Sequence, residues 1–305
     1  MQPLVSICIP TYGRVEILKN TLNSIFSQNV DPEIFEVCIS DNSPTDETQE
    51  LLDSFFSSNY NIKYSKSTCE GYYNSIESLK LGCGKYLKLH NNYSKFKENS
   101  FQEFINSVLR YETEKPVLFF SFGAINNSSE QKKFSTFDSF LNEISYFSTW
   151  STSFGIWKED FDALMSKNFD FDKMFPHTSL LFALWDKKDF VVDNALYFDN
   201  QDVGKKGGYN LPETFGTRYL GMCHNLLADG KIGEQTYQKI KNGILQFIAD
   251  WYVNVTYFGN KYKFSFENWE KTIIDLYGEA GILFIKNTAK RKKLKCLIRK
   301  ILNRY

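Results

Sequence analysis

The chain has no run of ~18 consecutive apolar residues, so no segment is expected to cross a bilayer as a helix. Its first residues show no basic flank followed by a long apolar stretch, so no secretory leader is expected. It has no Cys-x-x-Cys: Cys8, Cys38, Cys69, Cys83, Cys223 and Cys296 stand apart, several inside apolar runs. That spacing argues against a zinc site or a disulfide framework and for reduced, buried thiols in a cytoplasmic protein. Internal repeats are absent. Net charge is absent too, with 36 Lys plus Arg against 36 Asp plus Glu. The zero hides an asymmetry: Lys286 to Tyr305 holds nine bases and no acid. The body is left with 27 basic against 36 acidic residues, about −9. Such a body is a poor nucleic-acid binder, and the tail is a separate basic device.

What remains is a globular pattern, 42% apolar over 305 residues, long enough for a full core. Leu4 to Ile9 is an apolar run stopped by Pro10 and reads as a buried strand. Glu16 to Gln28 has helical spacing. Phe35 to Ser40 is a second strand ending at Asp41, and Glu47 to Phe56 a second helix. Ile62 to Ser65 and Tyr86 to Leu89 read as strands. Tyr72 to Leu81 and Ser100 to Arg110 read as helices, and Val117 to Phe122 as a strand. Ser148 to Lys158 and Phe190 to Phe198 are expected to be strands, with helical segments from Phe161 and over Thr178 to Trp185. Alternating strand and helix with short connections implies a doubly wound, mostly parallel α/β sheet. After Gly204 the spacing is helical over Leu211 to Asp229, Glu234 to Tyr257 and Phe266 to Ile285. A boundary is expected in VGKKGGYN, dividing residues 1–203 from a helical region 204–305.

Ligands of such sheets bind beyond the carboxyl ends of the strands. Pro10 ends a strand and frees the following amides to face a ligand. Tyr12 suits the border of a nucleobase or ribose. Arg14, at a helix start, suits a phosphate or an acidic loop. Asp41 can accept from a base N–H or a ribose hydroxyl, with Ser43 beside it; the same pair also suits a plain Asx turn.

VSICIPTYGR (Val5 to Arg14), EVCISDNSPTDET (Glu36 to Thr48) and EGYYNSIESLKLGCGKYLKL (Glu70 to Leu89) occur in order. Together they resemble the family-2 inverting glycosyltransferases of the GT-A fold, over roughly residues 4 to 200. FPH at Phe175 to His177 and the Gly-Lys-Tyr block are most similar to bacterial polysaccharide and O-antigen members of the abequosyltransferase-like kind. The resemblance implies a GT-A-like nucleotide-binding domain, a nucleotide-sugar donor, and a saccharide or lipid-linked acceptor in surface polysaccharide assembly. It places Pro10, Tyr12, Asp41 and Ser43 around the nucleoside and Asn74 near the diphosphate or ribose.

The family pattern expects an Asp-x-Asp loop whose carboxylates hold Mg²⁺ or Mn²⁺ against the diphosphate. The corresponding loop is His90-Asn91-Asn92-Tyr93, and no carboxylate lies between Glu77 and Glu98. A neutral amide is a weak ligand for a hard dication, so no metal cofactor is expected. Asn91 and Asn92 would face the donor. Positive charge would come from Lys88, His90 and Lys95, or from Lys205 and Lys206 in a Gly-flanked closing loop, which also reads as a solvated linker. The competing reading is a noncatalytic module that keeps the nucleoside site alone.

Inversion needs a base for the acceptor hydroxyl. His177, after Pro176 at a helix start, is the first candidate and Asp172 the second; helix capping or core packing would explain His177 equally. At the carboxyl end, Leu294, Leu297, Ile298, Ile301, Leu302 and Tyr305 form an apolar stripe at helical spacing among Lys and Arg. That is the pattern of an interfacial helix on an anionic membrane, or of a tail helix packed on protein.

Overall fold

In the computed structural model, residues 2–56, 60–125, 130–204, 207–257 and 262–302 are described, the last seven of them by backbone alone. They form two compact units, Met1–Asp202 and Val203–Tyr305.

The first unit is built on strands β1 (Val5–Thr11), β2 (Phe35–Asp41), β3 (Ile62–Lys66) and β4 (Tyr86–Leu89). Helices α1 (Val15–Phe26), α2 (Glu47–Phe56) and α3 (Asn74–Leu81) connect them. The chain continues through β5 (Ser94–Phe96), α4 (Ser100–Arg110), β6 (Val117–Phe120), β7 (Gln131–Phe134) and α5 (Phe137–Ile144). It closes with β8 (Gly155–Trp157), α6 (Lys158–Met165), α7 (Pro176–Ala183), β9 (Phe190–Asp193) and β10 (Phe198–Asn200). The main sheet has the order β3-β2-β1-β4-β8, parallel except for β8. A second sheet, β6-β9-β7, joins it through a bridge between Phe119 and Phe154. The expected α/β class with a mostly parallel sheet is what forms.

Helices cover the main sheet, so β1, β2 and β4 are buried along nearly their whole length. Phe96, Phe101 and Phe104 pack edge and face under β1 and β2 with Leu18, Leu22 and Phe35. At the amino edge of the sheet Glu36 is buried with Lys63 at 2.8 Å, the Ser6 hydroxyl at 2.6 Å and the Cys83 amide at 2.6 Å. Burial pushes its carboxyl up, but Lys63, Ser6 and Cys83 more than offset this and hold it below the ordinary value. Its neighbour Cys83 is exposed, against the expectation of buried thiols, whereas Cys8, Cys38 and Cys223 are buried.

Two expected strands are corrected. Ser148 to Lys158 is mostly tight turn, Ser145–Thr149 and Ser151–Ser153, with only Gly155–Trp157 in the sheet. The stretch from Phe190 to Phe198 breaks after Asp193, whose carboxylate accepts the Ala195 amide at 3.0 Å and turns the chain.

The second unit contains β11 (Gly207–Asn210), a wide helical turn (Pro212–Tyr219), α8 (Leu220–Ala228), α9 (Glu234–Tyr257), β12 (Lys263–Ser265) and α10 (Trp269–Leu302). The paired β11 and β12 are an addition to the expected helices. Helix α10 is broken at Gly278, whose φ of 65° and ψ of −168° suit glycine alone. No helix among the described residues is long and apolar enough to cross a membrane.

Candidate donor site at the strand ends

Three parallel strands end side by side, with Thr11 of β1 opposite Asp41 of β2 and Asp41 opposite Lys66 of β3. Asp41 is fully buried. Its Oδ1 accepts the Ser43 amide at 2.9 Å and the Ser43 hydroxyl. Its Oδ2 accepts the Tyr64 hydroxyl at 3.3 Å and faces the Lys66 ammonium at 3.4 Å. The Asx turn is therefore present, but it is part of something larger. Ser43 passes the connection on, its hydroxyl accepting the Gly13 amide at 2.8 Å. Lys66 bridges from Asp41 to Asp46 at 3.1 Å and to the Thr45 carbonyl. The sequence reading missed Tyr64 and Lys66.

The turn after β1 is unusual. Gly13 and Arg14 have φ of 60° and 62°, both left-handed, and α1 starts directly behind them. Arg14 is exposed there. Burial raises the Tyr72 and Tyr93 hydroxyls above the ordinary phenol value, and the nearby Arg14 charge works against that rise. Arg14 thus lies within electrostatic reach of the Asn loop and of the turn before α3. Tyr12 and Tyr72 stand 65% and 49% exposed, apolar rings open to a ligand. An open cleft of about 740 Å³ is lined by Arg14 together with Glu16, Glu47 and Glu50, whose carboxylates oppose the binding of a polyphosphate there. The carboxyl ends of the strands, where ligands of such sheets bind, are the candidate donor site.

Asn74 serves the framework. Its amide donates to the carbonyls of Thr11 (3.1 Å) and Ser40 (2.8 Å) and to Asn42 Oδ1 (3.1 Å). Its own oxygen accepts the Ser40 hydroxyl at 2.7 Å. It knots the ends of β1 and β2 from below. Pro10 lies in the strand itself, opposite Ser40.

The loop after β4 is locked by neutral bonds. Asn91 accepts the Ser151 hydroxyl at 2.6 Å and donates to the Tyr93 hydroxyl at 3.0 Å. Asn92 donates to the Thr11 hydroxyl at 2.9 Å, and its carbonyl accepts Thr21 at 2.8 Å. The Asn91 carbonyl that would have to face a dication is already engaged. Among the described residues no cluster of three His, Cys, Asp or Glu is placed to hold a metal. The residues at this loop do not fit a divalent ion.

Two cations expected here are corrected. Lys88 points into the core, its ammonium bonded to the Leu89 carbonyl at 2.7 Å and to the Thr152 carbonyl, over the rings of Phe120 and Phe198. His90 is buried, stacked on Phe96 at 5.0 Å, with Nε2 2.7 Å from the Ser94 carbonyl. Burial, with the Lys88 charge, drives it down to about 3, so it is neutral at pH 7. Lys95 is exposed on β5. Lys205 and Lys206 lie outside the described residues.

His177 is 6% exposed at the start of α7. Its Nε2 is 2.9 Å from the Thr149 carbonyl. That contact requires the proton on Nε2 and leaves the lone pair on Nδ1, which has no partner among the described residues. Burial lowers the ring to about 4. The residues that follow Thr149 reach the Asn loop, Ser151 through its hydroxyl and Thr152 by accepting the Asn91 amide at 3.0 Å. Asp172 instead holds the turn that leads into α7, accepting the Met174 and Phe175 amides at 2.8 and 2.9 Å.

Residues 6–77 match the glycosyl transferase family 2 model. Over 59 residues the chain is 50% identical to abequosyltransferase RfbV of Salmonella typhimurium strain LT2, a stretch covering 19% of this chain and 17% of that protein. Over 53 residues it is 43% identical to validoxylamine A glucosyltransferase of Streptomyces hygroscopicus subsp. limoneus, covering 17% and 12%. The matched stretches thus span only a small part of the length of either relative. The fold is similar to that of S. aureus TarS residues 1–349 in complex with UDP-GlcNAc, with TM-score 0.57 and 15% identity over 90% of this chain and 80% of that one. It is also similar to mannosyltransferase PcManGT of Pyrobaculum calidifontis in complex with GDP-Man and Mn²⁺, with TM-score 0.52 and 12% identity over 82% and 70%. Those two likenesses establish the shared fold.

Proposed function

We propose that this chain, a family-2 glycosyltransferase by its matched segment and its fold, transfers a sugar from a nucleotide donor with inversion and without a bound metal. The observation that carries this reading is the buried Asp41, held at the edge where three parallel strands end and tied to the Gly13–Arg14 turn. The carboxylate in that position fixes Ser43 and, through it, the Gly13 amide at the edge of the site, and Tyr12 borders the nucleoside. Arg14 is the cation for the diphosphate. The acceptor hydroxyl attacks the anomeric carbon, its proton passes to His177 Nδ1, and the bond to the diphosphate oxygen breaks. Arg14 then opposes the charge that builds on the leaving group. Asp172, in the turn before α7, is the second candidate for the base.

The acceptor in this reading is a saccharide or lipid-linked saccharide at a cytoplasmic membrane face, in surface polysaccharide assembly. The experiment is calorimetric titration with UDP, GDP, CDP, dTDP and CMP, with and without EDTA. One nucleoside diphosphate is expected to bind equally in both conditions, and His177→Ala is expected to bind it without transfer. Loss of binding in EDTA refutes metal independence. Binding without transfer by the parent chain, on every acceptor offered, favours a noncatalytic nucleotide module.

A further inference from the structure

Helix α10 has two faces. Beyond the break at Gly278, Ile285 and Ala289 are buried on one of them. That side docks on α9, where Lys292 pairs with Asp250; before the break Tyr277 donates to the Lys241 carbonyl at 2.8 Å. At 100° per residue, Leu294 projects roughly 180° from Ile285 and Leu283 roughly 160°. Both are on the far side of the helix, 61% exposed for Leu283 and 59% for Leu294, and Phe284 on the shoulder is 39% exposed. Lys290, Arg291 and Lys295 are exposed around them, with no ion pair among the described residues. No acid occurs after Glu279, and the apolar spacing that starts at Leu294 continues in the sequence at 297, 298 and 301. The stripe therefore does not prolong the face already used inside this unit; it starts on the opposite side.

We infer that the outer face of α10, carrying Leu283, Phe284 and Leu294 with Lys290, Arg291 and Lys295, docks on an anionic phospholipid surface. This rests on the membrane-borne acceptor of the proposed function and names the surface that would reach it. The chemistry selects the occupant. Isolated leucines ringed by unpaired bases, with no acid, match acyl chains beneath anionic headgroups. A second copy of the same face would set like charges against each other.

The test is co-sedimentation of the full chain with phosphatidylcholine vesicles and with vesicles containing phosphatidylglycerol. Binding is expected on the anionic vesicles alone and is expected to weaken with salt. Leu283→Ser/Leu294→Ser should weaken it at least tenfold, with helix content unchanged. Lys290→Gln, Arg291→Gln and Lys295→Gln should each cost about fivefold. Nucleotide affinity, measured on the same variants, should not move, so a failure of the donor site is read separately. Equal binding to both vesicle types, or parent-like binding by the leucine variant, overturns the inference. So does a dimer in gel filtration that the leucine variant dissociates while no vesicles are bound.

Discussion

Replacing Asn74 separates two roles that its position beside the strand ends would allow. As a framework residue its amide donates toward three acceptors, the Thr11 and Ser40 carbonyls and Asn42 Oδ1, and its oxygen receives Ser40. The Thr11 carbonyl keeps one other donor, the Asn42 amide at 3.2 Å. Asn74→Ala then strips the Ser40 hydroxyl of its acceptor and takes one donor from each of the Thr11 carbonyl, the Ser40 carbonyl and Asn42 Oδ1. At about 1 kcal/mol for each bond lost and somewhat more for a buried group left bare, the first unit should lose about 3 kcal/mol. Asn74→Asp should cost at least as much, since it turns a carboxylate toward two carbonyl oxygens, and it should recover on acidification. Urea unfolding followed by tryptophan fluorescence gives the stability; nucleotide calorimetry at low temperature gives the site. Any fall in affinity should follow the loss of stability. If Asn74→Ala keeps its unfolding midpoint and loses nucleotide affinity tenfold, Asn74 touches the ligand and the framework assignment is wrong.

Arg14→Gly keeps the left-handed turn and removes the charge; diphosphate affinity should drop about tenfold or more by calorimetry, with the nucleoside little changed. Acid should destabilise the first unit. His90 and His177 are lowered to about 3 and about 4, so below pH 6.5 the unfolded chain gains protons that the folded chain refuses. Stability is whole above pH 6.5 and falls as the pH drops toward 4; the two rings account for up to about 4 kcal/mol between pH 7.5 and pH 5. Urea midpoints across that range measure it, and His177→Gln should remove about half of the slope. Gly155→Ala would press its methyl into the Tyr86 ring and hydroxyl, both fully buried, and should cost about 3 kcal/mol in the same assay. Tyr86→Phe should restore part of that loss.

The first four strands and three helices were legible because an apolar run ending in Pro10 or Asp41 admits few alternatives. The turns over 145–153 were not. Tyr146, Phe147, Thr149, Trp150 and Thr152 have strand-like side chains, yet buried hydroxyls bind the chain in tight turns, Ser148 through its carbonyl to Thr178 and Thr152 to the Asn loop. Short pairings such as β5 with β10 span three residues and leave no periodic trace. Lys88 was misjudged for a general reason. A parallel strand covered on both sides buries both of its faces, so a lysine between Leu87 and Leu89 goes into the core whichever way it points. Lys66 and Tyr64 were missed because β3 is only half-buried and its composition is not distinctive. What reveals them is register, which sets them beside Asp41.

The same register constrains where positive charge at a diphosphate can come from. The loop after β4 cannot turn its Asn91 carbonyl outward without releasing Ser151, and it cannot shift Asn92 without releasing Thr11, the residue opposite Asp41. Lys66 is committed to Asp41, Asp46 and the Thr45 carbonyl. Lys88 and His90 are in the core. Lys95 stays exposed on β5, and Arg14 is exposed at the strand ends with its charge reaching both Tyr72 and Tyr93. A guanidinium is charged at every physiological pH and offers paired donors to phosphate oxygens, so it can oppose a leaving diphosphate without chelation. Transfer should therefore be indifferent to EDTA in the parent chain. In Arg14→Gly it should be slow, and added Mg²⁺ should not restore it, because the loop supplies no ligand for the ion. Restoration by Mg²⁺ would show that the loop opens to bind a metal and that its neutral lock is not the working state.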